Sequence, residues 1–128
     1  MALVDESWSA RSSALAQTLS RVALGDRAAF AALYRDTRAQ LFGVILRINA
    51  DRAQAEDLLQ DVFINIWRSA SGFDAARAQP MTWLTSIARN RATDSLRRQK
   101  ADVRTVSAQA MGEDGEETDL IAAKPTDV

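Results

Sequence analysis

Asp51-Arg52-Ala53-Gln54-Ala55-Glu56-Asp57-Leu58-Leu59-Gln60-Asp61-Val62-Phe63-Ile64-Asn65-Ile66-Trp67 reads as one amphipathic helix. Leu58, Leu59, Val62, Phe63, Ile66 and Trp67 recur at spacings of three and four, which lines them along one side of a 3.6-residue helix. Asp51 is the N-cap, and Gln54 sits three residues later as in a capping box. Ser71-Gly72 breaks the pattern.

The same periodicity extends outward in both directions. Upstream, Asp26 caps a helix predicted to run to about residue 48, with Phe30, Leu33, Tyr34, Leu41, Val44, Ile45 and Ile48 facing inward. Before it, Leu15, Leu19, Val22 and Ala23 form the stripe of a helix over residues 13–24, and Gly25 ends it. Downstream, residues 71–79 form a short polar loop. Pro80 then suits the first turn of a fourth helix, where its missing N–H costs nothing. That helix is predicted to reach about residue 99, with Trp83, Leu84, Ile87, Ala88 and Leu96 inside. Beyond Val103 the periodicity fails and Ser, Gly, Glu, Asp and Thr dominate, the composition of a mobile segment. The reading is therefore all-α: a compact bundle of three to four helices over residues 13–103, a flexible N-terminus over 1–12, and a disordered acidic segment over 104–128.

Composition excludes several chemistries. The chain has 128 residues, room for one small domain, and neither cysteine nor histidine. Disulfides, thiolate nucleophiles, Cys/His zinc sites and histidine bases are thereby ruled out. No metal, cofactor or small-molecule substrate is expected, nor a phosphate-binding glycine loop or other catalytic constellation. No apolar run approaches the roughly 18 residues of a membrane span. Asp5 and Glu6 stand where a signal peptide would be basic, so none is expected.

Net charge is −1, but its distribution is uneven. Residues 85–104 hold Arg89, Arg91, Arg97, Arg98, Lys100 and Arg104 against Asp94 and Asp102. Residues 105–128 hold Glu113, Asp114, Glu116, Glu117, Asp119 and Asp127 against Lys124. A basic helix thus precedes an acidic segment, an asymmetry that the function has to explain.

Three groups carry candidate function. Asp57 and Asp61, four apart with Gln60 beside them, share a helix face where like charges repel by a few tenths of a kcal/mol. They are either a solvated acidic face near the helix N-terminus or a docking face for a basic partner. The fourth helix places Arg89 and Asn90 away from its apolar stripe. They are either an ordinary basic helix end or groups that hold phosphates and base edges. The loop 71–79 is either a plain connector or a cradle for an unstacked base.

Taken in order, these segments resemble region 2 of the extracytoplasmic-function (ECF) sigma factors. Residues 23–34 are similar to that family's "GD..AF..LY" stretch, residues 55–63 to "AEDL.Q.VF" of region 2.2, and Phe73-Asp74 with residues 83–98 to "FD…WL..IARN...D..R" of regions 2.3 and 2.4. The resemblance covers about residues 15–100, and residues 105–128 resemble the linker toward region 4. It implies that Asp57, Gln60 and Asp61 face the clamp helices of the RNA polymerase β′ subunit. It further implies that the loop captures a flipped base of the non-template −10 strand, with Phe73, Asp74 and Arg77 in it. Arg89, Asn90, Arg97 and Arg98 would then contact DNA around the −10 element. A membrane-linked anti-sigma factor is an expected second partner, and the cytoplasm the expected location. Region 4, which reads the −35 element, is missing, so the chain is expected to be a fragment or a single-domain variant. The rival reading is a helical module held by an anti-sigma factor with no DNA binding of its own.

Overall fold

The computed structural model describes the backbone of residues 2–110 and the side chains of residues 9–103. Within those bounds the chain is four α-helices and one 3₁₀ turn: α1 (Ala2–Ala23), α2 (Arg27–Ile48), α3 (Arg52–Ser69), the turn Ala70–Gly72, and α4 (Pro80–Ala110). No strand occurs among the described residues. The two outer boundaries differ from the sequence expectation. Helix α1 begins at Ala2 rather than near residue 13, so residues 2–12 are helical, and α4 continues to Ala110 rather than ending near residue 99. The acidic stretch 111–128 lies outside the described residues.

Each junction has a local cause. Gly25 adopts φ +86°, a conformation costly for any residue with a Cβ. With it there, Gly25 N–H donates to Val22 O at 2.9 Å and Asp26 N–H to Arg21 O at 3.0 Å, the paired bonds of a Schellman end. Asp26 then starts α2 by accepting from Ala29 N–H at 3.1 Å. At the next junction Asp51 accepts from Gln54 N–H at 3.1 Å, as the sequence predicts. The reciprocal half of the capping box does not form. Asp51 N–H donates instead to Asn49 Oδ1 at 3.0 Å, and Gln54 Oε1 accepts from Asn49 Nδ2 at 2.8 Å and from Gln99 Nε2. Gln54 thereby ties the start of α3 to the middle of α4.

The core joins Leu15, Leu19 and Val22 of α1, Leu33, Leu41 and Ile45 of α2, Leu58, Val62, Phe63 and Ile66 of α3, and Leu84, Ala88 and Ala92 of α4. Two inward expectations are corrected: Ala23 is exposed, and Tyr34 is 38% exposed at the core's edge. Phe63 meets the rings of both Phe30 and Tyr34, with centroids at 6.2 and 4.8 Å. Thr37 is fully buried in α2; its hydroxyl is satisfied by donating to Leu33 O at 2.7 Å. The alanines of α4 let its backbone approach α2 and α3, so the helices carrying the candidate functional groups are packed directly on one another.

Candidate functional site

Helix α3 exposes Asp57, Gln60 and Asp61, as the spacing predicts. The structure separates the two carboxylates. Asp57 has no hydrogen bond or ion pair to another described residue. Asp61 leans toward α4, where its Oδ2 meets Nη2 of Arg91 at 2.9 Å, with Asp61 47% and Arg91 24% exposed. The second guanidinium nitrogen, Nη1 of Arg91, is buried and unpartnered. Ile64, one turn beyond Gln60 on the same face, is 49% exposed. The α3 surface is thus acidic with an apolar residue along it. Arg91 was legible only as one more basic residue, because its partner is set by how α3 and α4 pack.

The segment after α3 is a built turn. Phe73 N–H donates to Ala70 O at 3.1 Å, closing the 3₁₀ turn. Asp74 Oδ1 accepts from Ala76 N–H at 2.9 Å, and Asp74 O accepts from the N–H groups of Arg77 and Ala78. Asp74 therefore shapes the turn, while Arg77, 4.0 Å from its carboxylate, is open to solvent. Phe73 is half-buried against Trp83, ring centroids 5.3 Å apart, and moors the loop to α4.

Along α4, Arg89, Asn90 and Arg97 are exposed and have no hydrogen bond or ion pair to another described residue. Arg89, Thr93, Arg97 and Lys100 follow one another at spacings of three and four, so they form a single basic stripe. Arg98 stands about 100° around the helix from Arg97 and lies 3.9 Å from Asp94. The arginine pair expected to act together is divided between two faces. Thr93 joins the stripe by its spacing, and Lys100 joins it because α4 stays regular past residue 99.

Among the described residues no group of carboxylates could hold a metal ion, and no helix is long and apolar enough to cross a membrane. What the surfaces can do is bind: one acidic face on α3, and one basic face on α4 bordered by the structured loop.

Comparison with known proteins gives the family. Residues 33–101 match the family "Sigma-70 region 2". The chain is 38% identical over 90 residues to the ECF RNA polymerase sigma factor SigK of Mycobacterium tuberculosis, covering 70% of this chain and 48% of that protein. It is 40% identical over 83 residues to SigK of Mycolicibacterium vanbaalenii, covering 65% and 42%. Against SigK of Mycobacterium ulcerans it is 35% identical over 91 residues, covering 71% and 49%. The chain spans about half the length of these relatives.

Proposed function

The chain belongs to the sigma-70 region 2 family, and we propose on that premise that it is the promoter-melting part of an ECF sigma factor. In this reading α3 docks on the β′ clamp helices of core RNA polymerase through Asp57, Gln60 and Asp61. The loop 71–79 and α4 take the non-template strand of the −10 element. The role is not enzymatic. Polymerase does the chemistry, and this chain supplies binding energy that offsets the few kcal/mol needed to unstack a base. It works in the cytoplasm, at the nucleoid when active, and a membrane-linked anti-sigma factor that covers these same faces restrains it.

The observation that carries the reading is the unpaired stripe of Arg89, Arg97 and Lys100 beside Asn90 and the loop, in a chain whose net charge is −1. In a chain that is not basic as a whole, Arg89, Arg97 and Lys100 line one face of α4 with no acidic partner among the described residues. That is the footprint of phosphate binding rather than of general solubility.

The test compares variants bound to core polymerase on single-stranded −10 oligonucleotides. Arg97→Ala should weaken binding to every sequence and lower the salt dependence, because phosphate contacts act evenly. Asn90→Ala should instead reduce the preference among −10 variants, by about 1–3 kcal/mol at a base it reads directly. Wild-type protein that binds polymerase but adds no affinity for any −10 strand would defeat the proposal in favour of a protein-only module.

A further inference from the structure

Between the first half of α1 and the start of α4 lies an open cleft of about 590 Å³. Ser12 and Ser13 line it from α1, and Gln79 and Thr82 from the start of α4, while Leu15 and Met81 contribute its apolar part. Ser12 Oγ donates to Gln79 Oε1 at 2.7 Å. That bond holds the amide in place and leaves both N–H groups of Gln79 without a partner among the described residues. Arg11 also borders the cleft, its guanidinium within hydrogen-bond distance of Gln40 Oε1.

The cleft adjoins both elements assigned to DNA. Gln79 is the last residue of the loop 71–79. Thr82 begins the line Thr82, Ser86, Arg89, Thr93 at spacings of four and three, the same side of α4 that carries the basic stripe. A strand following that stripe toward the start of α4 arrives at the cleft as it passes the loop. The volume lies within the range of small-ligand sites. The lining pairs amide and hydroxyl groups with two apolar side chains, suited to a flat heterocycle with hydrogen-bonding edges. A base in a duplex keeps its pairing edge engaged, so such a lining selects an unpaired one.

We propose that this cleft holds a second unpaired base of the strand whose neighbour is taken by the loop 71–79, an assignment that rests on the −10 reading above. Gln79 and the hydroxyls of Ser12, Ser13 and Thr82 read its edge, Leu15 and Met81 pack its face, and Arg11 attracts the adjoining phosphate. The helical extension of α1 upstream of residue 13 then has a purpose: it builds the wall opposite α4.

The experiment binds the chain on core polymerase to single-stranded DNA randomised across the −10 region and sequences the retained fraction. Wild type is compared with Ser12→Ala and with Ser13→Trp, which fills the cleft from an exposed position; thermal melting confirms that each variant folds. Wild type should show base preference at the loop-read position and at a second one. Both variants should lower the second preference from about fivefold or more to about twofold or less and keep the first. Unchanged preferences in both folded variants overturn the cleft assignment. So does a wild type that selects bases at one position only, or variants that lose both preferences together. A wild type that retains no DNA above polymerase alone sinks the −10 reading itself, and the cleft falls with it.

Discussion

Asp57 and Asp61 look interchangeable along the sequence, yet charge reversal should affect them very differently. In Asp61→Lys the ion pair with Arg91, 2.9 Å in the native protein, is replaced by two cations on facing helices. Loss of a partly exposed pair costs about 0.2–1 kcal/mol. The new repulsion is about 1 kcal/mol at roughly 4 Å in bulk water, and about 4 at an effective dielectric near 20. Asp61 is 47% exposed, so a lysine there can swing into solvent, which puts the repulsion at the lower figure. The expected total is about 1–2 kcal/mol, a fall in Tm of about 5–15 °C for a domain of this size. Asp57→Lys breaks no described contact and should melt within about 0.5 kcal/mol of wild type. The assay is thermal unfolding followed by circular dichroism at low and high salt, with the swapped pair Asp61→Lys/Arg91→Glu as the third variant. The Asp61→Lys deficit should shrink as salt screens the repulsion, and the swap should recover at least half of it. Asp61→Lys melting with wild type at low salt, or a swap no more stable than the single reversal, would refute the reasoning. The consequence for function is direct. Asp57→Lys is the clean probe of polymerase docking, whereas a docking defect in Asp61→Lys must be separated from its loss of stability.

The remaining predictions concern the scaffold. Leu33→Ala removes a side chain with no solvent exposure at the centre of α2 and should destabilise the domain by about 2–5 kcal/mol in urea unfolding. Gly25→Ala forces a Cβ into φ +86° and should cost about 1–2 kcal/mol in the same assay, although nothing lies within 4 Å of the added atom.

How much of this was legible in the sequence depended on how local its cause is. The end of α1 and the starts of α2 and α3 are set by residues within five positions of one another. Gly25, Asp26 and Asp51 therefore announce them. The buried stripe of α3 follows from periodicity alone. The start of α1 lay further upstream than the reading that began it near residue 13, although Val4, Trp8, Leu15 and Leu19 recur at spacings of four, seven and four. The end of α4 was hidden, since Gly and Pro, the usual breakers, do not occur between Pro80 and Ala110, and polarity alone was read as loss of helix. Tyr34 was placed inside because its spacing fits the stripe, but it sits at the stripe's margin, where the ring of Phe63 covers one side and solvent the other. Arg91 was illegible in principle. Its role depends on the register in which α4 crosses α3, which no feature of either helix states. The division of Arg97 from Arg98 could have been read, because adjacent helical residues stand about 100° apart.

That register bears on how docking and strand capture would work together in the proposed reading. The acidic face and the basic face belong to adjacent helices fastened by three kinds of contact: the close approach at Ala88 and Ala92, the Asp61–Arg91 pair, and the bond from Gln99 to Gln54. Gln54 is also held by Asn49, so the end of α2, the start of α3 and the middle of α4 meet at one amide. A partner that grips α3 therefore fixes the direction of α4 without any rearrangement inside the domain. Strand capture, as proposed, would need this. An unstacking cost of a few kcal/mol is offset only if the loop and the basic stripe are already aimed at the strand, since ordering them on arrival would cost about 0.5–1.5 kcal/mol for each long side chain immobilised. Phe73 against Trp83 and the Asp74 turn hold the loop in advance. The stripe cations Arg89, Arg97 and Lys100 are left unfastened, and phosphate contacts, which carry no sequence information, tolerate that freedom best.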